Sequence, residues 1–176
     1  MRIICLDNHP LIWGIKEQCT DGQEDMIPLT KKFIESIDND TAVLIPAIVV
    51  AEFLLPIPQD LHAMVINLFN RNFIIAPFDA LCASKFSLIW NTNKNDAQEL
   101  LKNGATRAEL KADSLIVATA VARKAECIYS YDRWIRTIAK GFIDVKEILF
   151  IPEQKEVIDL QSKNTDWGNL TKMNEP

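Results

Sequence analysis

The chain has 176 residues and 20.0 kDa, with 48% hydrophobic and 24% charged residues, enough for one ordinary domain with a sizeable core and too little for two. That apolar content excludes a disordered chain, and only 5 Gly and 8 Pro exclude a collagen-like or low-complexity one. With 19 basic against 24 acidic residues the net charge is −5, so the protein as a whole is no basic glove for nucleic acid. A local patch or bound cations can still reverse the field at one site.

In chain order, RIICL at 2–6 reads as a buried strand ending at Asp7. Leu11, Ile12 and Ile15 suggest a short helix over 10–18, and TDGQED at 20–25 a polar loop. Leu29, Phe33, Ile34 and Ile37 recur at helical spacing, closed by Asp38-Asn39-Asp40. A second strand is expected over 42–45, followed by a helix over 47–55 that Pro46 suits at its opening. Leu61, Met64, Val65, Leu68 and Phe69 mark the next helix, and 73–76 a third strand. Asp79 stands near the start of a helix reaching about Trp90, and 91–96 is a polar break. SLIVATAVA at 114–122 is apolar almost all round, as in a helix buried on most sides. A fourth strand at 127–130, a short helix at 133–139 and a fifth strand within 142–151 complete the pattern. The domain expected is 1–151, with 152–176 a partly disordered C-terminal extension poor in apolar residues.

Strands that are continuous apolar runs, alternating with helices, imply an α/β fold of three layers around a mainly parallel sheet of four to five strands. Cys5, Cys19, Cys82 and Cys127 form no C-x-x-C pair, so reduced thiols in the cytoplasm are expected rather than a disulfide framework or zinc site. The N-terminal apolar run is too short for a signal peptide. The most membrane-like stretch, 41–59, is interrupted by Pro46, Pro56, Pro58 and Glu52, which argues against a spanning helix.

In parallel sheets ligands gather outside the carboxyl ends of the strands, and three acids map there. Asp7 follows the first strand, Asp113 opens the buried helix before the fourth, and Asp132 lies two residues past it. Glu52 is the only ionisable residue between Asp40 and Asp60. In apolar surroundings it must shift its pKa, find a basic partner or share a cation. Taken singly, Asp113 and Asp132 read as helix caps or first-turn acids and Asp7 as a turn residue. Four acids so placed are more than capping requires.

These residues resemble the PIN-domain nucleases. The likeness rests on Asp7 in ICLDNHPLIW, Glu52 in IPAIVVAEFL, Asp113 in KADSLIVATAVA and Asp132 in SYDRW, and it covers about residues 1–151. Two departures stand out. Ser130-Tyr131-Asp132 replaces the common T-x-D while keeping the hydroxyl, and Asn8 stands where Thr is usual. The resemblance implies a metal-dependent endoribonuclease that cleaves single-stranded or locally unpaired RNA to 5′-phosphate and 3′-hydroxyl ends. Asp7 and Asp113 would be the principal ligands of Mg²⁺ or Mn²⁺, hard ions that favour oxygen donors. Asp132 would complete the set, Glu52 would bind a second metal or orient water, and Ser130 would hold a carboxylate or water.

Positive charge for the substrate concentrates in 94–140, with nine basic and six acidic residues. Arg107, Lys111, Arg133 and Arg136 bracket Asp113 and Asp132 and are the candidates to hold phosphates, against the alternative of a solvated helix face. Trp13, Trp90 and Trp134 could stack bases or simply pack. His9 reads as a hydrogen-bonded turn residue rather than a general base, His62 as partly exposed, and Asp79 as a cap. A VapC-like toxin is one form of this reading, which leaves a cognate antitoxin and a homodimer open as partners. A catalytically silent PIN-fold module binding RNA or protein is the alternative, disfavoured because all four acids are present. The missing G-x-G-x-x-G after strand one opposes a dinucleotide-binding enzyme. The absence of D-x-D at Asp7 opposes an aspartate-nucleophile phosphatase.

Overall fold

The short apolar runs expected at 2–6, 42–45, 73–76 and 127–130 become strands of a single sheet, since a strand covered on both faces can carry β-branched and aliphatic residues at every position. A computed structural model describes residues 1–149. The expected extension at 152–176 and the domain end at 151 lie outside the described residues. The sheet comprises β1 (Arg2–Leu6), β2 (Thr41–Pro46), β3 (Ile74–Ala76), β4 (Cys127–Tyr129) and β5 (Asp144–Lys146). Their order is β3-β2-β1-β4-β5 and every neighbouring pair is parallel. In register, Ile4 lies between Val43 of β2 and Cys127 of β4.

The chain therefore builds outward from β1 to β2 and β3, then returns to the other side of β1 for β4 and β5. This reversal puts a switch point between β1 and β4, where loops leaving two adjacent strands splay apart and open a crevice.

Eight α-helices are described: α1 (Asn8–Leu11), α2 (Met26–Ser36), α3 (Ala47–Leu54), α4 (His62–Asn72), α5 (Ala80–Thr92), α6 (Lys94–Lys102), α7 (Arg107–Ala122) and α8 (Arg133–Ile138). A π-helical turn covers Ile12–Lys16 and a 3₁₀ turn Gln59–Leu61. The described residues form two compact units, one of residues 1–9 and 38–147, the other of 10–37 with 148–149.

The first unit holds the sheet and α3 to α8. Its centre is α7, which packs against α3, α5, α8, β2 and β4 and buries Leu110, Ile116, Val117, Ala118 and Ala120. Two hydroxyls inside this apolar helix are satisfied by the preceding turn. Ser114 Oγ donates to the Leu110 carbonyl (2.6 Å) and Thr119 Oγ1 to that of Leu115 (2.8 Å). In the second unit the π-helical turn lies on α2. Gly14 is required there, since a Cβ would stand 2.5 Å from Ile34 Cδ1 and 3.0 Å from Thr30 Cγ2.

Two expectations from the sequence need correction. The polar break at 91–96 is a joint of one residue, Asn93, between α5 and α6. Its buried side chain donates to the Ile138 carbonyl at 2.7 Å, so a polar residue is consumed inside the fold rather than spent on a loop. Asp113 does not open the buried helix. A capping box starts α7 two turns earlier: Glu109 N donates to Thr106 Oγ1 (3.2 Å) and Thr106 N to Glu109 Oε2 (2.7 Å). Helix capping thus leaves Asp113 unexplained. Asp79 does cap α5, accepting from Cys82 N at 3.0 Å and pairing with Arg123 at 2.8 Å.

Candidate active site

At the switch point a cavity of about 250 Å³ opens, lined by Asp7, Glu52, Asp113 and Asp132. Four separate stretches of chain deliver them. Asp7 directly follows β1, Glu52 rides on α3, Asp113 on α7, and Asp132 caps α8. Asn8, His9, Glu109 and Trp134 also face it.

Ser130, wholly buried just past β4, ties two of these acids together. Its hydroxyl donates to Asp7 Oδ2 (2.7 Å) and accepts from the Asp132 amide (3.0 Å), while its own amide donates to the Lys146 carbonyl (3.0 Å). Asp132 in turn accepts from Trp134 N at 2.6 Å. The capping role considered for Asp132 is therefore real, and it coexists with a place on the cavity wall. Ser130→Ala deletes a hydrogen bond to a buried carboxylate and strands the Asp132 amide. A loss of about 2 kcal/mol is expected, measurable as a lower urea midpoint at unchanged slope.

Electrostatic strain concentrates on Asp113 and Glu52. Asp113 is buried, and its Oδ2 has no hydrogen-bond partner among the described residues. Burial, reinforced by Asp132, Asp7, Glu52 and Glu109, pushes its carboxyl up to about 8. Glu52 is likewise raised, by burial first and then by Asp7 and Asp132. Among the described residues no Lys or Arg pairs with either, so the distant-Arg explanation of Glu52 finds no support. His9 Nδ1 stands 3.9 Å from Asp7 Oδ2, and Asp7 raises the imidazole.

Among the described residues, no three His, Cys, Asp or Glu side chains stand close enough to hold one metal ion as placed. The donor set nevertheless suits a hard cation. It is all oxygen, it repels itself, and it leaves one buried carboxylate oxygen with nothing to bind.

The candidate phosphate contacts are dispersed. Arg107, Lys111, Arg133 and Arg136 are all exposed, and none lines the cavity. Arg136 is engaged by Glu147 at 2.6 Å. Arg133 lies over the Trp134 ring, 3.9 Å from its centroid. Of the described tryptophans, Trp13 is buried, Trp90 stacks on Phe86 at 5.9 Å, and Trp134 alone reaches the cavity. His62 bonds the Ile57 carbonyl at 2.9 Å. Glu109 was missed from the sequence, although an acid four residues before Asp113 on a helix shares its face.

All four cysteines are free. Among the described residues no helix is long and apolar enough to cross a membrane.

No family model matches the chain, and no curated protein matches it significantly. Among solved structures it is similar to a chain of VapBC2 from Rickettsia felis, a structure determined with a DNA fragment from their promoter. Identity is 16%, the TM-score 0.56, and the match covers 82% of this chain and 98% of that one. It is also similar to a chain of FitAcB from Neisseria gonorrhoeae, at 19% identity and TM-score 0.54, covering 81% and 95%. The fold is thus the PIN-like α/β/α architecture expected from the motifs.

Proposed function

We propose that the protein is a metal-dependent endoribonuclease of the PIN type, acting in the cytoplasm as the toxin of a toxin–antitoxin pair. The observation that carries this reading is the convergence of Asp7, Glu52, Asp113 and Asp132, from four separate chain segments, on one cavity at the sheet's switch point. The fold likeness to chains of VapBC2 and FitAcB supports a small protein antitoxin as partner.

Asp7 and Asp113 would hold Mg²⁺ or Mn²⁺, with Asp132 beside them and Glu52 on the opposite helix. Such an ion supplies a lowered water pKa and a charge clamp on the phosphate. Ser130 fixes the Asp7 carboxylate through its 2.7 Å bond and aligns Asp132 through its amide, so both acids are preorganised. Glu52, half-buried and with its carboxyl raised from its ordinary value by burial and by Asp7 and Asp132, is suited to orient the attacking water and take up its proton. The walls of Asp113 and Glu109 keep anionic substrate away until cations reverse the local field.

Incubating the purified protein with single-stranded RNA tests this. Cleavage is expected with Mn²⁺ or Mg²⁺ and none with chelator, and the new ends should be 5′-phosphate and 3′-hydroxyl. Cleavage indifferent to chelator, or 2′,3′-cyclic ends, would contradict the reading.

A further inference from the structure

We propose that Trp134 is the platform on which an unpaired base of the RNA stacks beside the carboxylate cavity, with the Arg133 guanidinium as its cationic partner. This rests on the nuclease reading above and assigns recognition of single-stranded substrate to one side chain of the same site.

Among the described residues, Trp134 is the only Phe, Tyr or Trp that lines the cavity. Its position is fixed from below, since its amide donates to Asp132 Oδ1 at 2.6 Å. The backbone that carries the indole is therefore tied to an acid of the site itself. It is also not consumed by the core. Trp134 stays half-buried, whereas Trp13 is 2% exposed and Trp90 stacks on Phe86.

Arg133 adds the second element. Its exposed guanidinium lies 3.9 Å from the indole centroid, and no carboxylate pairs with it among the described residues. An indole that lines the cavity can take an unpaired base by stacking, and the charge of the cation beside it offsets the acidic wall for the adjoining phosphate. Duplex bases have both faces covered by their neighbours, so this platform serves only an unpaired strand. Arg136, by contrast, is already held by Glu147, which leaves Arg133 as the arginine of α8 with no carboxylate partner among the described residues.

The test measures binding without cleavage, in the Asp113→Asn protein with millimolar Mn²⁺ present. Replacing Trp134 by Leu should weaken binding of a single-stranded oligoribonucleotide roughly 5- to 100-fold, and Trp134→Phe should keep it within about 3-fold of the parent. One abasic site moved along the oligonucleotide should give a matching loss at one position. At that position the Leu variant should show no additional loss. Equal binding by the parent and the Leu variant, or losses that multiply at every position, would overturn the proposal while leaving the nuclease reading intact. A parent that binds no oligonucleotide even at millimolar Mn²⁺ would overturn both.

Discussion

Asp113→Asn is expected to reduce RNA cleavage by on the order of 10²–10³-fold while making the metal-free protein more stable. The two effects share one cause. A carboxylate oxygen buried without a donor and surrounded by Asp132, Asp7 and Glu52 is costly to the fold and valuable only to a cation. An unfolded Asp carboxyl titrates near 3.8 and the folded one near 8. Between those values the folded state binds more protons, so stability falls as pH rises through that window. Asn mimics the neutral form at every pH. The variant should therefore melt near wild type at pH 4 and increasingly above it towards pH 8. A gain on the order of 1–4 kcal/mol is expected at the alkaline end, worth roughly 2–4 °C per kcal/mol for a chain of this size. Thermal melts of both proteins at pH 4, 6 and 8 in chelator check this. A variant less stable at pH 8 would mean that Asp113 has a hidden partner.

Phe53→Ala should destabilise the protein by about 3–5 kcal/mol, a large share of the roughly 5–15 kcal/mol that holds a domain together. Phe53 is fully buried, and its ring centroid lies 4.9 Å from that of Phe69, which in turn meets Phe73 at 5.7 Å. Removing it opens a void under α3, the helix that presents Glu52 one residue earlier. Urea unfolding should show the loss directly. Cleavage by the variant should fail at temperatures where wild type still works, because the platform of Glu52 melts before the chemistry is compromised. Phe53→Leu keeps most of the apolar volume and should lose about half as much.

These effects follow from features that were unequally legible in the sequence. The first four strands were legible as apolar runs bounded by polar residues, as in RIICL before Asp7, whereas β5, Asp144-Val145-Lys146, is largely exposed and was placed only within 142–151. The acids were legible for the opposite reason: Glu52 is an ionisable residue where packing favours none. The start of α7 was misjudged because the apolar stretch begins at Ser114, whereas the helix begins at its polar Thr106-x-x-Glu109 box. Periodicity marks where a helix is buried, and capping marks where it starts. The helix α6 went unseen for a related cause: only Leu100 of its residues is buried. What no local pattern could reveal was partnership across the fold. The engagement of Arg136 by Glu147 and the seating of Arg133 on Trp134 separate two arginines that the sequence presented as equals.

The central claim is that the carboxylate cavity takes a divalent cation through Asp7 and Asp113, and Mn²⁺ binding to the RNA-free protein tests it most directly. Calorimetric titration should detect Mn²⁺ binding to wild type and a loss of at least about tenfold in affinity in Asp113→Asn. The same ion, at about 100 times its dissociation constant, should stabilise wild type by roughly 2.7 kcal/mol. Equal affinity in the two proteins, or no binding to wild type at millimolar Mn²⁺, would contradict the account.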